Sequence, residues 1–220
     1  MKITEQSSRF DHLEKMSVSE LLQHINEEDY HVAESVRKAI PQIQVLVEAI
    51  EKRMKKGGRL FYIGAGTSGR LGVLDASELP PTFGVPDTWV TGIIAGGDKA
   101  LRHAVENAED ISEQGWLDLQ TYHPTINDTV LGIAASGTTP YVVGAVRLAR
   151  QNGLLTGCIT SNPNTVLAQM VDYPINLKII RIEKNYLKIK NILKILILFI
   201  QKVIIKILFN LNHYFLILPK

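Results

Sequence analysis

The chain has 220 residues, 45% of them hydrophobic, and a formal net charge of +2 at neutral pH. This length and composition predict a globular protein of one or two domains with a buried core. The single cysteine, Cys158, excludes an internal disulfide framework and lies in an apolar run, which favours a buried structural thiol over a nucleophile. Residues 1–16 contain no apolar segment typical of a secretory signal, so we expect a reducing, cytoplasmic location.

The charge is divided unevenly along the sequence. Residues 178–220 contain nine Lys and Arg residues against one acidic residue, a net charge of +8, which leaves −6 on the residues before them. This segment has no Gly, Ala, Ser, Thr or Asp, and lysines interrupt its apolar stretch, so no run reaches the roughly 18 uncharged apolar residues that a membrane span requires. We interpret residues 178–220 as an aberrant, unevolved tail rich in Ile, Lys, Leu and Asn. A basic amphipathic helix on a membrane surface is the alternative.

Residues 1–58 are predicted to form a helical segment that covers the following domain or a partner subunit. Its signals are a capping box at residues 17–20, a second cap at Asn26, a proline suited to the first turn of a further helix at Pro41, and a stop at Gly57-Gly58.

From residue 59 to residue 177, short apolar runs alternate with turns of small polar residues and with helix-length segments. The predicted strands are residues 59–63, 89–95, 129–135, 154–160 and 173–177. This alternation is typical of an α/β fold with a parallel sheet and helices on both faces. Ligands bind such sheets beyond the carboxyl ends of the strands, so the turns there form the candidate site.

Four of these turns are rich in small polar residues, at positions 64–69, 95–98, 136–140 and 161–164. The first joins a strand to a helix start, where backbone N–H groups and the helix dipole attract an anion. The hydroxyls of Thr67 and Ser68 can bind further oxygens of a phosphate. One edge of the sheet therefore suits a polar, anionic ligand.

The glycines Gly64, Gly66 and Gly69 also fit the dinucleotide fingerprint G-x-G-x-x-G. A dinucleotide site needs an acidic residue at the end of the second strand to bind the ribose, but that strand ends in Gly96-Gly97. The dinucleotide therefore remains the less favoured alternative.

Two carboxylates are candidates for acid–base chemistry. The helix that begins at Thr67 is expected to end before Pro80-Pro81, which puts Glu78 in its last turn. A carboxylate at the negative end of a helix holds its proton more tightly and suits a general acid. Glu109 is placed on the polar face of the next helix. From spacing alone, a solvated helix end and a solvated helix face are the alternatives for these two residues, and no His/Cys cluster has metal-ligand spacing.

The sequence resembles the N-acetylmuramic acid 6-phosphate etherase family of the sugar isomerase (SIS) fold group, over roughly residues 3–177. The resemblance rests on an unbroken string at residues 64–78 and on shorter stretches at 80–82, 94–97, 105–110 and 132–137. It implies a SIS-type three-layer α/β fold at residues 59–177, incomplete at its end, with a parallel sheet flanked by helices and preceded by the helical segment.

The family's reaction, as the resemblance implies, removes D-lactate from C3 of N-acetylmuramic acid 6-phosphate and gives N-acetylglucosamine 6-phosphate in cell-wall amino-sugar recycling. In the open-chain sugar the C1 aldehyde acidifies the C2 proton; a base removes that proton, an acid protonates the departing ether oxygen, and water adds at C3. The resemblance assigns Glu78 as the proton donor to lactate and Glu109 as a second active-site residue. It leaves the C2 base unidentified and implies no cofactor and no metal.

The expected substrate contacts lie in two hydroxyl-rich turns, at Gly66, Thr67, Ser68, Ser136, Gly137, Thr138 and Thr139. Neither turn contains a lysine, so hydroxyls and amides are expected to bind the phosphate.

The resemblance further implies a homodimer of intact chains that share a site, with no nucleic-acid or membrane partner. Two departures are Leu79, where the family often has cysteine, and Thr138, where it often has arginine; the family's later helices are not recognisable after Leu177. A non-catalytic sugar-phosphate-sensing SIS module and an inactive truncated product are the alternatives.

Overall fold

The computed structural model describes residue 10 and residues 12–177. The aberrant tail expected at residues 178–220 lies outside these residues. Five parallel strands form one sheet in the order β2-β1-β3-β4-β5. The strands are β1 Leu60–Gly64, β2 Val90–Ile94, β3 Thr129–Ile133, β4 Leu155–Thr160 and β5 Tyr173–Asn176. The parallel α/β architecture predicted from the sequence is confirmed, and each strand lies within two residues of its predicted bounds.

Helices cover both faces of this sheet. They are α1 Val18–Met54, α2 Gly66–Phe83, α3 Lys99–Arg102, α4 Gln114–Gln120, α5 Pro140–Gln151 and α6 Val166–Met170, preceded by a 3₁₀ turn at Leu13–Lys15. Alternate residues of β1 point to opposite faces, as the period of a strand requires. Leu60 and Tyr62 pack in the core beneath α1 and α2, whereas Phe61 and Ile63 pack in the core beneath α4 and α5. The result is three layers.

Helix α1 is one continuous helix, and the predicted break at Pro41 is wrong. The capping box at Ser17 is confirmed, since Ser17 and Glu20 each accept a backbone N–H of the other residue. Pro41 lies on the exposed side, and buried side chains recur every three or four residues on both sides of it, from Val32 to Met54. Packing of this stripe on the sheet offsets the N–H that proline lacks. None of the described side chains between residues 18 and 31 is fully buried.

Helix α2 continues through Pro80 and Pro81, so its predicted end before these prolines is also wrong. It ends at Phe83, and Gly84 caps it in the left-handed conformation by donating its N–H to the Pro80 carbonyl at 2.9 Å. Leu79, which is 1% exposed, fixes this part of α2 in the core. Glu78 therefore lies in the body of the helix rather than in its last turn.

Residues 103–113 do not form the helix predicted around Glu109. Helix α3 ends at Arg102, and the chain then turns through Asn107, whose φ of 60° is left-handed. Val105 packs against Gly96, where an added Cβ would lie 2.9 Å from the Val105 side chain. This contact holds the turn over the end of β2, and an asparagine tolerates the left-handed conformation there.

An ion pair between half-buried Arg59 and buried Asp128 joins the starts of β1 and β3 at the amino end of the sheet. Asp128 is 1% exposed and accepts hydrogen bonds from the Arg59 N–H at 2.7 Å, from the Arg59 guanidinium at 2.8 Å and from the Thr125 N–H at 2.7 Å. Burial alone would raise the pKa of Asp128, but these hydrogen bonds outweigh it and hold the pKa below its usual range. The starts of the two strands are thereby held together.

A second buried carboxylate, Asp75 on α2, has no such partner. It is 1% exposed, and among the described residues neither its carboxylate nor the buried hydroxyl of Tyr62 makes a hydrogen bond of normal geometry, although the two groups interact electrostatically. Burial raises the pKa of Asp75 to about 6, partly opposed by Tyr62. In the unfolded chain the carboxyl titrates near its ordinary value, so the folded state loses stability as the pH rises from about 4 to about 6.

We expect Asp75→Asn to stabilise the fold at pH 7.5 by about 1–3 kcal/mol, because the neutral amide avoids the burial of a charge. At pH 4.5, where the folded protein already carries a neutral Asp75, the gain should be much smaller. Urea unfolding at both pH values measures the difference, with Asp87→Asn on the exposed surface as the matched control. An equal gain at the two pH values would contradict the assignment.

Candidate active site

The four polar turns leave the sheet at the same level. In the register of the sheet, Gly64 of β1 pairs with Ile94 of β2 and with Ile133 of β3, and Ile133 pairs in turn with Ile159 of β4. Neighbouring strands are about 4.8 Å apart. The turns that follow these residues therefore share one edge, as the sequence predicts.

The strand order marks one position along this edge. The chain passes from β1 outward to β2 and then returns to the other side of β1 with β3, so the direction of winding reverses between β1 and β3. Open α/β sheets bind ligands in the crevice at this reversal. The two turns that border it are residues 64–69 and residues 134–139, and these are the two hydroxyl-rich turns.

The first turn brings strand and helix unusually close. An added Cβ on Gly64 would lie 2.7 Å from the Gly69 nitrogen, and one on Gly69 would lie 2.8 Å from the Gly64 oxygen and 2.6 Å from the Ile94 side chain. Gly66 has a φ of +53° and open space around it. Gly66 is exposed, Thr67 is half-buried and Ser68 is buried. The start of α2 therefore presents backbone and hydroxyl groups with no bulky side chain in front of them.

The second turn leads into α5, whose first residue is Pro140 and whose N-cap is Thr139. Gly137 takes a φ of +66°, and the Thr138 N–H donates to the Ser136 hydroxyl at 3.2 Å. Ser136 and Thr139 are half-buried, and Thr138 is exposed. The starts of α2 and α5 thus flank the crevice, each with the positive end of a helix dipole.

Glu109 lies beside the second turn. Its carbonyl accepts the N–H of Tyr141, two residues beyond Thr139, at 3.0 Å. Tyr141 is buried and donates its hydroxyl to Asp118 at 2.6 Å. Burial and this hydrogen bond raise the pKa of Tyr141, which keeps it a donor. The exposed side chain of Glu109 is therefore carried by a turn that is fixed to the start of α5.

Glu78 is not brought to the same place within one chain. It lies twelve residues after Gly66 on α2, about 18 Å along the axis at 1.5 Å per residue. Its side chain is exposed, on the same helix face as Thr67 and Leu74, and Leu74 is 53% exposed. Glu78 lies on the α2 side of the sheet and Glu109 on the α5 side.

A cavity of about 600 Å³ lies beside the edge strand β2, and no residue of the turns at 64–69 and 134–139 lines it. The turn at residues 105–108 and helix α4 form its other walls, and its polar lining includes Asp98, Glu106 and Asp118.

Within residues 12–177, no group of three or more His, Cys, Asp or Glu side chains is arranged to hold a metal ion. In the same part of the chain, no helix combines the length and apolarity that a membrane crossing requires.

Two buried polar residues, one on α2 and one in the fourth polar turn, are not predicted from the sequence. Asp75 lies within the helix that begins at the first turn, and nothing in its spacing predicts that it faces Tyr62. Asn162, which is 3% exposed, lies in the fourth polar turn, which the sequence places at the correct edge. The sequence signal that could have pointed to Asn162 is the high content of hydrogen-bonding side chains in that turn.

Comparison with solved structures agrees with this description. A phosphoheptose isomerase from Francisella tularensis superposes with a TM-score of 0.67 at 20% identity, covering 87% of this chain and 97% of that one. A phosphoheptose isomerase from Neisseria gonorrhoeae gives 0.61 at 17%, covering 84% and 96%. The family model of the glucokinase regulatory protein N-terminal SIS domain matches residues 42–150. The chain is an α/β protein of the SIS fold.

Relatives found by sequence similarity indicate a more specific group of proteins within the SIS fold. An N-acetylmuramic acid 6-phosphate etherase from Bacteroides thetaiotaomicron is 65% identical over 175 residues, 80% of this chain and 63% of the relative. One from Porphyromonas gingivalis is 63% identical over 174 residues, 79% of this chain and 64% of the relative. The chain is thus similar in sequence to N-acetylmuramic acid 6-phosphate etherases, and it spans slightly less than two thirds of the length of these two relatives.

The close approach in the first turn predicts unequal effects of added methyl groups. Gly69→Ala is expected to destabilise the fold by about 2–3 kcal/mol, because its Cβ meets the Gly64 oxygen and Ile94. Gly66→Ala meets no atom and is expected to cost only about 1 kcal/mol for its left-handed φ. Gly84→Ala, with a φ of +65° and equally open surroundings, is the control for Gly66. Urea unfolding ranks the three variants, and a smaller effect at Gly69 than at Gly66 would refute the packing argument.

Proposed function

We propose that the chain binds the phosphate of an amino-sugar phosphate in the crevice between the turns at residues 64–69 and 134–139. The observation that carries this proposal is the position of both turns at the reversal of the strand order, each leading into a helix start. Gly66, Thr67 and Ser68 contribute from the first turn. The second turn contributes Ser136, Gly137, Thr138 and Thr139. Hydroxyls and backbone N–H groups hold the anion without a lysine in either turn.

We further propose that the reaction is that of the etherase relatives. A base takes the C2 proton of the open-chain sugar, the C3–O bond breaks, the departing lactate oxygen takes a proton, and water adds across the resulting double bond. The products are D-lactate and N-acetylglucosamine 6-phosphate. Identity of 65% to an etherase supports this assignment.

We also propose a cytoplasmic location, which the buried, unpaired thiol of Cys158 supports.

The two carboxylates, Glu109 and Glu78, lie at different distances from this site. Glu109 is fixed beside the second turn of its own chain through the Tyr141 N–H. Glu78 lies about 18 Å along α2 from the crevice, a distance that its side chain does not span. We therefore propose that a second copy of the chain supplies Glu78, in a homodimer in which α2 lies over the crevice of its neighbour. The exposed Leu74 beside Glu78 supports a contact surface there.

A second function follows if that homodimer does not form. With only one carboxylate near the crevice, the chain would bind a sugar phosphate without cleaving it and would act as a sensing module. The separation of Glu78 and Glu109 on opposite sides of the sheet favours this alternative for a single chain.

The first test is release of D-lactate from N-acetylmuramic acid 6-phosphate by the full chain. Release supports the etherase. No release, with N-acetylglucosamine 6-phosphate shifting the backbone amide signals of residues 136–139, would support the sensing module instead. If the chain neither releases lactate nor binds the sugar phosphate, both functions are contradicted and the inactive truncated product remains.

If lactate is released, Glu109→Gln is expected to slow release at least about hundredfold, because the amide cannot transfer a proton. Glu113→Gln, an exposed carboxylate four residues further along, is the matched control and should retain full activity. Full activity of Glu109→Gln would remove Glu109 from the proposed site.

A mixing experiment tests whether two copies share the site. Glu78→Gln and Glu109→Gln are each expected to be inactive alone. In an equal mixture, half of the dimers are mixed and each has one intact site, so activity should return to about a quarter of the wild-type value. If the mixture stays inactive while mixed dimers form, Glu78 does not act across copies.

A further inference from the structure

The carbonyl groups of residues 134–137, in the second hydroxyl-rich turn, accept hydrogen bonds from the protein. The Ala134 carbonyl accepts the Gly137 N–H at 3.0 Å, and the Ala135 carbonyl accepts the Ser161 N–H at 3.0 Å. The Gly137 carbonyl accepts the Leu167 N–H at 3.1 Å. Two of these three donors come from the segment between β4 and α6 or from α6 itself.

Asn162, in that same segment, completes the set. Its side-chain amide donates to the Ser136 carbonyl at 3.3 Å and to the Ala135 carbonyl at 3.4 Å. Asn162 is 3% exposed, and its own carbonyl accepts the Thr160 hydroxyl at 3.1 Å. The Thr160 hydroxyl also lies 3.0 Å from the Asn176 side chain on β5. The backbone of Asn162 is therefore held at the end of β4 by Thr160, which also contacts β5.

The packing against Gly137 leaves the turn little room to rearrange. An added Cβ there would lie 2.4 Å from the Thr165 side chain, and Thr165 is held as the N-cap of α6. Carbonyl oxygens repel an anion, whereas N–H groups and hydroxyls attract it. A turn binds phosphate only if its carbonyls point away from the ligand.

We propose that Asn162 is a positioning residue for phosphate binding. It draws the carbonyls of Ala135 and Ser136 toward the β4–α6 segment, so that the turn offers its donors to the phosphate. Asn162 does not touch the ligand in this role. This inference rests on the proposed function, which places the phosphate at this turn.

Asn162→Asp provides the sharpest test, because a carboxylate of nearly the same shape accepts hydrogen bonds and repels both carbonyls. Titration of the ¹⁵N-labelled full chain with N-acetylglucosamine 6-phosphate is expected to show at least about tenfold weaker binding, the effect of losing one or two hydrogen bonds. Hydrogen exchange of the Gly137 and Thr138 amides should accelerate, while exchange in β1 stays unchanged. A general loss of folding would not give this local pattern.

Asn164→Asp is the matched control. It makes the same change of charge two residues away, at an exposed position with a φ of 54° that aspartate also tolerates. Its affinity should stay within about twofold of wild type, a change too small for a lost hydrogen bond. If Asn162→Asp does not fold, Asn162→Ala removes the donor without adding charge and should show the same loss of affinity and the same local exchange.

The outcomes separate this inference from the proposed function. If wild type binds the sugar phosphate and the Asn162 variants bind it equally well, the positioning role is overturned and the proposed function stands. If wild type does not bind it while the Asn162 variants open the turn, the proposed phosphate site is overturned, and with it any role of Asn162 in binding.

Discussion

The pairing of β1 with β3 is the constraint on which the site depends. It places Gly64 opposite Ile133, so two turns that are 70 residues apart in sequence leave the sheet side by side. The Arg59–Asp128 ion pair holds the other end of the same two strands. A shift of one residue in this register would turn the side chains of β3 to the opposite face and bury the wrong set. The pairing register of β1 and β3, and with it the crevice, is therefore fixed by the two hydrophobic cores as well as by the backbone hydrogen bonds.

The sheet could be predicted from the sequence because its strands are short apolar runs between polar turns, and these are local signals. The helix bounds were harder to predict for one physical reason. Pro41, Pro80 and Pro81 are strong local signals for a break, yet α1 and α2 continue through them. The buried stripe of α1 and the burial of Leu79 in α2 are tertiary contacts, which outweigh the N–H groups that proline lacks.

The candidate site was predictable at the level of turns and less so at the level of side chains. The hydroxyl-rich turns lie where the parallel sheet requires them to be. Glu109 was expected on a helix face, but the contact between Val105 and Gly96 draws its segment into a turn that is hydrogen-bonded to the start of α5. The distance of Glu78 from the crevice follows from the direction of α2, which spacing along the sequence does not reveal. Asn162 acts through the backbone of another segment, and a contact of that kind has no sequence pattern.

The uneven burial of α1 divides this helix energetically. From Val32 onward the helix is part of the core, so its opening requires the domain to unfold. Before Val32 the helix is supported by its own backbone hydrogen bonds, by the Ser17 cap and by the ring of Phe10 against that of His24, and an isolated helix of this length is only marginally stable in water. Within α1, a protease that samples local openings would therefore cut between residues 18 and 31 rather than after Val32, leaving the buried part of the helix intact. A surface that covered this half of the helix would remove that susceptibility.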